Sequence, residues 1–306
     1  MAAVIVADSV THAYKGGTVA LDDVSLEIGT GLFGLLGSNG AGKSTLMRIL
    51  CTLLVPTQGH VTVDGLDVVA ERRSVRRLLG YLPQEWSAWR LQTVTEVLDT
   101  LAALSGLVDK KMRKRRIAEV LDAVGLAKVA NRKVKQLSGG MVRRLGVAQA
   151  LVHEPKVLVV DEPTVGLDPE ERLRFRQLMA ELGRDRAIVL STHIVADLGA
   201  ACSDLAVLHR GKVEFRGSPA ELVRRAAGKV VEIAVPEAAE ADLAERLEVV
   251  ARESANGRVS LRGVIKDGHV PDGARAVDDV TLEEAYLAFM VERGRHIDEL
   301  GIDDGA

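Results

Sequence analysis

Cysteine is nearly missing from this 306-residue chain, which has only Cys51 and Cys202. Two are too few for a disulfide framework, and both stand in apolar stretches that read as helical, so they are read as core thiols, neither metal ligands nor a redox pair. Long apolar runs are missing too. No window reaches the ~18 uninterrupted apolar residues of a membrane span, so any work at a membrane is expected to pass through a partner chain. The opening MAAVIVADSV lacks the basic start and long apolar stretch of a secretory signal. Nor is positive charge in excess: 40 Lys and Arg stand against 43 Asp and Glu, a formal net charge of -3, which argues against a general nucleic-acid binder. Apolar residues, by contrast, make up 47% of the chain, ample for a buried core, and the length suggests about two domains.

One stretch organises the rest. Residues 37–45 read GSNGAGKST and fit GxxxxGK[ST], the phosphate-binding P-loop pattern. Gly37, Gly40 and Gly42 can take the backbone angles that turn consecutive N–H groups of Ser38, Asn39, Ala41 and their neighbours toward one anion, with a helix N-terminus behind them. Lys43 would reach the β- and γ-phosphates, Ser44 would ligate Mg²⁺ through its hydroxyl, and Thr45 closes the motif. The flanks agree: LFGLLG before the loop looks like a buried strand, and Leu46, Ile49, Leu50 and Leu53 after it carry helical spacing.

Ahead of the loop, strands are expected at Val4 to Ala7 and Val24 to Ile28, separated by YKGGTVALDD. Tyr14 in that connection is either an ordinary half-exposed loop tyrosine or a ring that stacks on a purine. After the loop helix, PTQGHVTVDGLDV reads as turn, short strand and turn, and LLGYLP as a buried strand that Gln84 closes. From Thr93 to about Ala150 the pattern is helical, an insert that can rotate on an α/β core. Within it, Lys110 to Arg116 places six cations in seven positions, either a solvated helix face or a surface held near anionic lipid. Trp86 and Trp89, both of the chain's tryptophans, follow Gln84 closely and either pack the joint of the insert or form a docking surface.

Later motifs add chemistry. Ser138, Gly139 and Gly140 stand directly before a helix, as a plain N-cap or as a second anion site. VLVVDEP is a strand buried on both faces that ends in two acids. Asp161, at its carboxyl end, suits a Mg²⁺ shell, and Glu162 is placed to take a proton from an attacking water. TVGLD and a helix over about 169–182 follow, then the strand AIVLST and His193, which is either structural or a γ-phosphate contact.

Over roughly its first 225 residues the chain resembles the nucleotide-binding subunit of an ATP-binding cassette (ABC) transporter. The motifs occur in the family's order: Walker A at Gly37 to Thr45, the Q-loop Gln84, the signature LSGGM from Leu137 to Met141, Walker B ending at Asp161 with Glu162, the D-loop to Asp168, and the switch His193. Met141 departs from the family's usual glutamine. The resemblance implies an α/β P-loop NTPase core, with a mixed sheet and flanking helices, an antiparallel β portion and a helical subdomain over about 85–150. It implies ATP and Mg²⁺ as cofactors and an ATPase in which Lys43, Gln84, Glu162 and His193 act in catalysis. Ser44, Gln84 and Asp161 would hold the metal. Tyr14 would stack on adenine, while Ser138, Gly139, Gly140 and Asp168 would contact the nucleotide held by a second cassette. The economical assembly is then a head-to-tail homodimer on a separate membrane permease, at the cytoplasmic face of the membrane, with no nucleic-acid partner.

Beyond about Gly228 these motifs stop. VVEIAVP, PEAAEADLAERL and GRVSLRGV read as strand, helix and strand. DVTLEEAYLAFM carries a capping box, Thr281 with Glu284, and an apolar stripe at Leu282, Ala285, Tyr286, Phe289 and Met290. A core over 1–228 and a small α/β appendage over 229–306 are expected, the appendage for packing or dimer support more than ligand sensing. The acidic HIDELGIDDGA is read as a disordered tail. An appendage of this kind resembles the ATPase subunits of ABC-2 type exporters, including drug and antibiotic self-resistance pumps. A cassette driving a membrane complex mechanically, and a soluble ABC ATPase of another kind, are the alternatives.

Overall fold

A computed structural model describes residues 4–255 and 257–294, so HIDELGIDDGA lies outside the described residues. Two compact units are present: residues up to Thr192 with Asp197–Arg216, and His193–Ala196 with the residues from Gly217 on.

In the first unit, β1 (Ile5–Ala13) and β2 (Val19–Ile28) are longer than their apolar runs suggested. Register shifts after Ala7 and Val10 let polar Ser9 and Asp23 take left-handed backbone while pairing continues to Ala13↔Val19. Next come β3 (Gly31–Leu36), α1 (Lys43–Leu50), β4 (Gln58–Val63) and β5 (Leu66–Asp67), and the outer antiparallel sheet has the order β2-β1-β4-β5. The chain continues through α2 (Arg72–Leu78), β6 (Leu79–Leu82), α3 (Val94–Leu104), α4 (Lys110–Ala123), α5 (Gly139–Leu151), β7 (Val157–Asp161), α6 (Pro169–Leu182), β8 (Ala187–Thr192), β9 (Cys202–His209) and β10 (Lys212–Gly217). The second sheet runs β10-β9-β3-β8-β7-β6. Its pairs β9/β3, β3/β8, β8/β7 and β7/β6 are parallel, and every residue of β7 and β8 is buried, as strands covered on both faces must be. One apolar cluster joins both sheets through Leu46, Met47, Ile49 and Leu50 of α1. Each of these side chains contributes roughly 1.5–3 kcal/mol by leaving water.

Caps define the helical insert. Thr93 and Glu96 close a capping box on α3, and Asp109 and Ser138 accept first-turn amides of α4 and α5. The basic run is not one solvated face. Arg113 is buried, donates to Asp99 and to the carbonyls of Leu107 and Val108, and so ties α4 to α3. Arg116 pairs with Glu119 and Glu154, which leaves Lys110, Lys111, Lys114 and Arg115 exposed. Cys51 caps the C-terminus of α1, whereas Cys202 opens a strand and not a helix. Both are buried free thiols, and burial pushes Cys202 up to about 11, which keeps it protonated and inert.

The second unit contains α7 (Pro219–Arg225), β11 (Val230–Pro236), α8 (Glu240–Arg246), β12 (Leu247–Ala255), β13 (Arg258–Ile265), β14 (Arg275–Ala276) and α9 (Leu282–Val291), with sheet order β12-β13-β11-β14. The appendage expected from residue 229 on is here part of a unit that begins at Gly217, because α7 packs against α9. α9 also has more than an apolar stripe, since every residue from Glu284 to Val291 is buried. Burial works against the Glu284 charge. Two hydrogen bonds from Arg262, at 2.5 and 3.0 Å, and those from Thr281 outweigh it and hold the carboxyl below its ordinary value.

Glu284→Gln should therefore lower the second unit's stability by about 2 kcal/mol at pH 7 in denaturant unfolding. A depressed carboxylate stabilises above its unfolded pKa. The gap between wild type and variant should thus be full at neutral pH and close as pH falls below the ordinary value of 4.5 and through the folded one. A gap constant down to pH 2 would remove the ion pair as its cause.

Candidate functional site

The loop from Gly37 to Gly42 runs from the end of β3 into α1, and glycine is required at defined places. A Cβ on Gly42 would meet the Ala20 carbonyl oxygen at 2.4 Å, and one on Gly37 the Leu208 carbonyl oxygen at 2.4 Å. Gly40 and Gly42 have φ of 76° and 108°, open to glycine and strained for other residues. α1 starts at Lys43 with no side-chain cap and no acid in its first turn, so its leading N–H groups face the loop's concavity with a positive dipole end. Ser38 Oγ is buried and finds no hydrogen-bond partner among the described residues. A glycine-shaped cradle, uncapped amides and an orphaned hydroxyl fit a polyanion.

Tyr14, Ser38 through Thr45, Gln84 and Glu162 line one cleft of about 320 Å³, completed by Thr18, Val19 and Ala20 of the β1–β2 turn and the start of β2. Tyr14 is 38% exposed, meets the His12 ring edge-on at 4.8 Å and shares a hydrogen bond of 3.1 Å with Thr45 Oγ1. Its ring is thus held at the rim of the cleft. Lys43 Nζ donates to the carbonyls of Gly37 and Ser38 and stands 3.1 Å from Glu162 Oε1, with both side chains 5% exposed. Cation and carboxylate thus neutralise each other where an anion would sit.

The acids at the end of β7 are held by the neighbouring strand. Ser191 Oγ donates to Asp161 Oδ1 and accepts the Glu162 N–H at 3.1 Å, and the Ser191 carbonyl accepts the same N–H at 3.2 Å. Glu162 has φ 45°, left-handed backbone that costs a residue with a Cβ roughly 1–2 kcal/mol. Beyond it, Thr164 Oγ1 donates to Asp197, whose Oδ2 also accepts from Thr192 Oγ1 at 3.2 Å. Burial raises the Asp197 pKa against these bonds. His193 follows Thr192 directly at the end of β8 and groups with the second unit.

Other expected residues lie off that cleft. Ser138 caps α5 by accepting the Met141 N–H at 3.2 Å, and its own O–H remains to donate. A Cβ on Gly140 would meet the Glu171 carboxylate at 2.3 Å, so the signature helix touches α6 there. Asp168 is the N-cap of α6, accepting from Glu171 N at 2.9 Å. Trp86 presses on Gly146 of α5, whereas Trp89 is 48% exposed, beside a groove shared with Val97 and Leu101. Two positioning groups were not singled out from the sequence, Ser191 and Arg143. A hydroxyl inside the apolar run AIVLST could have pointed to the first. The second reaches from α5 to the Gln84 and Glu162 backbone, for which its place one turn inside the signature helix was the only signal.

A family profile described as "ABC transporter" matches residues 21–165. The chain is 38% identical over 212 residues to an uncharacterized ABC transporter ATP-binding protein, YxlF of Bacillus subtilis, covering 69% of this chain and 70% of that one. It is 34% identical over 84% of its length to the probable multidrug ABC transporter ATP-binding protein YbhF of Escherichia coli, of which it spans only 45%. The phosphonates import ATP-binding protein PhnC of Wolinella succinogenes is 37% identical over 72% of this chain and 85% of its own. Among solved structures, a dimeric post-hydrolysis state of the ATP-binding cassette MJ0796, bound to ADP and Pi, superposes with a TM-score of 0.63 at 28% identity, covering 70% of this chain and 98% of that chain. With the phosphate cradle, the paired acids and the parallel core in the order described, this chain belongs to the ATP-binding ATPase subunits of the ABC transporter family.

Proposed function

We propose that the chain dimerises on ATP and powers a separate membrane permease, in an exporter of the ABC-2 type that carries drugs, antibiotics or lipids. The observation that favours export is that two relatives named Nod factor export ATP-binding protein I, from Rhizobium sp. and Mesorhizobium japonicum, are 39% and 38% identical over 71% and 73% of this chain, beside the probable multidrug protein whose match extends over 84%. The subunit would sit peripherally on its permease, at the cytoplasmic face; among the described residues no helix is long and apolar enough to cross a membrane.

ATP would lie in the Tyr14 cleft, its adenine on the Tyr14 ring and its phosphates in the cradle from Gly37 to Thr45. Lys43 would exchange Glu162 for the phosphates, freeing the carboxylate to take a proton from water. Gln84 would contact the γ-phosphate region. Among the described residues no group of three or more His, Cys, Asp or Glu could hold a metal alone. That fits Mg²⁺ arriving with the nucleotide, held by the Ser44 hydroxyl, Gln84 and Asp161, where it would neutralise phosphate charge. Ser138, Gly139, Gly140 and Asp168 stand off the cleft, so they would serve the nucleotide of a second copy in a two-fold dimer.

Glu162→Gln keeps shape but loses the base, so hydrolysis should fall by roughly 10²-fold or more while ATP binding persists and an ATP-bound dimer accumulates on size exclusion. Turnover near wild type would remove Glu162 from its role. Mixing Lys43→Ala with Ser138→Arg subunits, each nearly inactive alone, should restore part of the activity, because one composite site in the mixed dimer escapes both lesions, provided that one intact site can turn over. A fully active Ser138→Arg parent would sink the shared site. Trp89→Ala should leave basal hydrolysis and the thermal midpoint unchanged yet weaken co-purification with the permease and transport in cells. If pull-down and transport are untouched, docking occurs elsewhere.

A further inference from the structure

One guanidinium joins three segments of the first unit. Arg143 lies on the helix that Ser138 caps, and each of its bonds ends on a main-chain carbonyl of another segment. Nε donates to Pro163 at 2.8 Å and Nη2 to Glu162 at 2.9 Å, while Nη1 donates to Gln84 at 2.7 Å and to Pro83 at 3.3 Å. Among the described residues it pairs with no carboxylate, so its charge is met by four carbonyl dipoles. A planar fork can serve acceptors on two segments at once in a fixed geometry, which a compact ammonium does not offer. The Glu162 peptide is thereby held at both ends, its N–H by Ser191 and its C=O by Arg143, in a backbone conformation that a free glutamate would leave. The Gln84 segment, which otherwise has an exposed side chain, is clamped to the same point.

We propose that Arg143 is a positioning residue that makes the two half-sites of one chain move together. The inference rests on the shared-site reading above. In that reading Ser138–Gly140 grip the nucleotide bound by the other copy, whereas Gln84 and Glu162 serve this chain's own. A shift of α5 on gripping the first nucleotide is passed through the fork to the backbone that aims Glu162 at the second. Hydrolysis at one site is then accelerated by occupancy of the other, and turnover rises cooperatively with ATP concentration.

The test compares steady-state ATPase curves, ATP affinity and thermal midpoints of the full chain as wild type, Arg143→Met, Arg143→Lys and Glu162→Gln. Arg143→Met should lower kcat by about 10- to 100-fold with KM for ATP within about threefold, and bring the Hill coefficient to about 1. Arg143→Lys should not restore either. A purely structural role would instead lower the thermal midpoint and raise KM with kcat little changed, and that result overturns the proposal. So does near wild-type kcat and cooperativity in Arg143→Lys, the variant to be read if Arg143→Met does not fold. If Glu162→Gln is inactive while Arg143→Met is normal, this inference alone falls. If Glu162→Gln is active, the reading of the site falls and takes the inference with it.

Discussion

The register of the parallel sheet is the constraint from which the site follows. Leu36 lies opposite Thr192 and Asp161 opposite Ser191, so β3, β8 and β7 end level with one another. The chain leaves β3 as the glycine cradle and β7 as the Asp161–Glu162 pair, both from the carboxyl edge where parallel sheets present their ligands. A slip of one residue in the β7/β8 pairing would turn Ser191 to the opposite face of the sheet and remove both hydrogen bonds of its hydroxyl to the acids. Burial of the strands on both faces makes such a slip expensive, and the apolar core is in this sense what keeps the polar groups in position.

That edge is also where polar groups are buried in number. Asp161, Glu162, Lys43, Thr164, Ser191, Thr192 and Asp197 are each less than a tenth exposed. Removing so many polar groups from water is costly unless they satisfy one another. Here they do so in a chain: hydroxyls of β8 serve Asp161 and Asp197, Thr164 joins the second of these, and Lys43 meets Glu162. A network of this density fixes orientation more than it adds stability, which suits groups that must meet a reactant at set distances.

The parts legible in the sequence were those with a short-range physical signature. The glycine spacing of the cradle, the unbroken apolar runs of β7 and β8, and the Ser and Thr caps of the helices each declare themselves within ten residues. Cleft residues as far apart as Lys43 and Glu162 could be named because each belongs to such a local pattern, whereas Tyr14 came to the cleft only through the family resemblance. What was not legible depends on contacts across the fold. The β1–β2 hairpin extends through bulges that no alternation marks. Half of β12, ARESA, is exposed and carries no apolar signal. Cys202 belongs to a strand because its backbone pairs with Leu32, a partner 170 positions earlier. Arg113 looks like one more surface cation until Asp99 and two carbonyls of the preceding turn are brought to it.

The order of strands in the second sheet bears on how the chain is made. β3 is complete early in synthesis, yet its two neighbours, β8 and β9, begin only at Ala187 and Cys202. For most of translation this apolar strand has both edges open, a state that invites wrong pairing. The antiparallel sheet gives early protection. β1, β2 and β4 all lie before residue 64 and pair among themselves, so together with α1 they can cover apolar residues of the β3 segment before its partners exist. The cradle for phosphate would then be outlined on the nascent chain long before the acids that complete it, and closing the sheet through β8 would be the late step that turns a folded amino-terminal half into a working site.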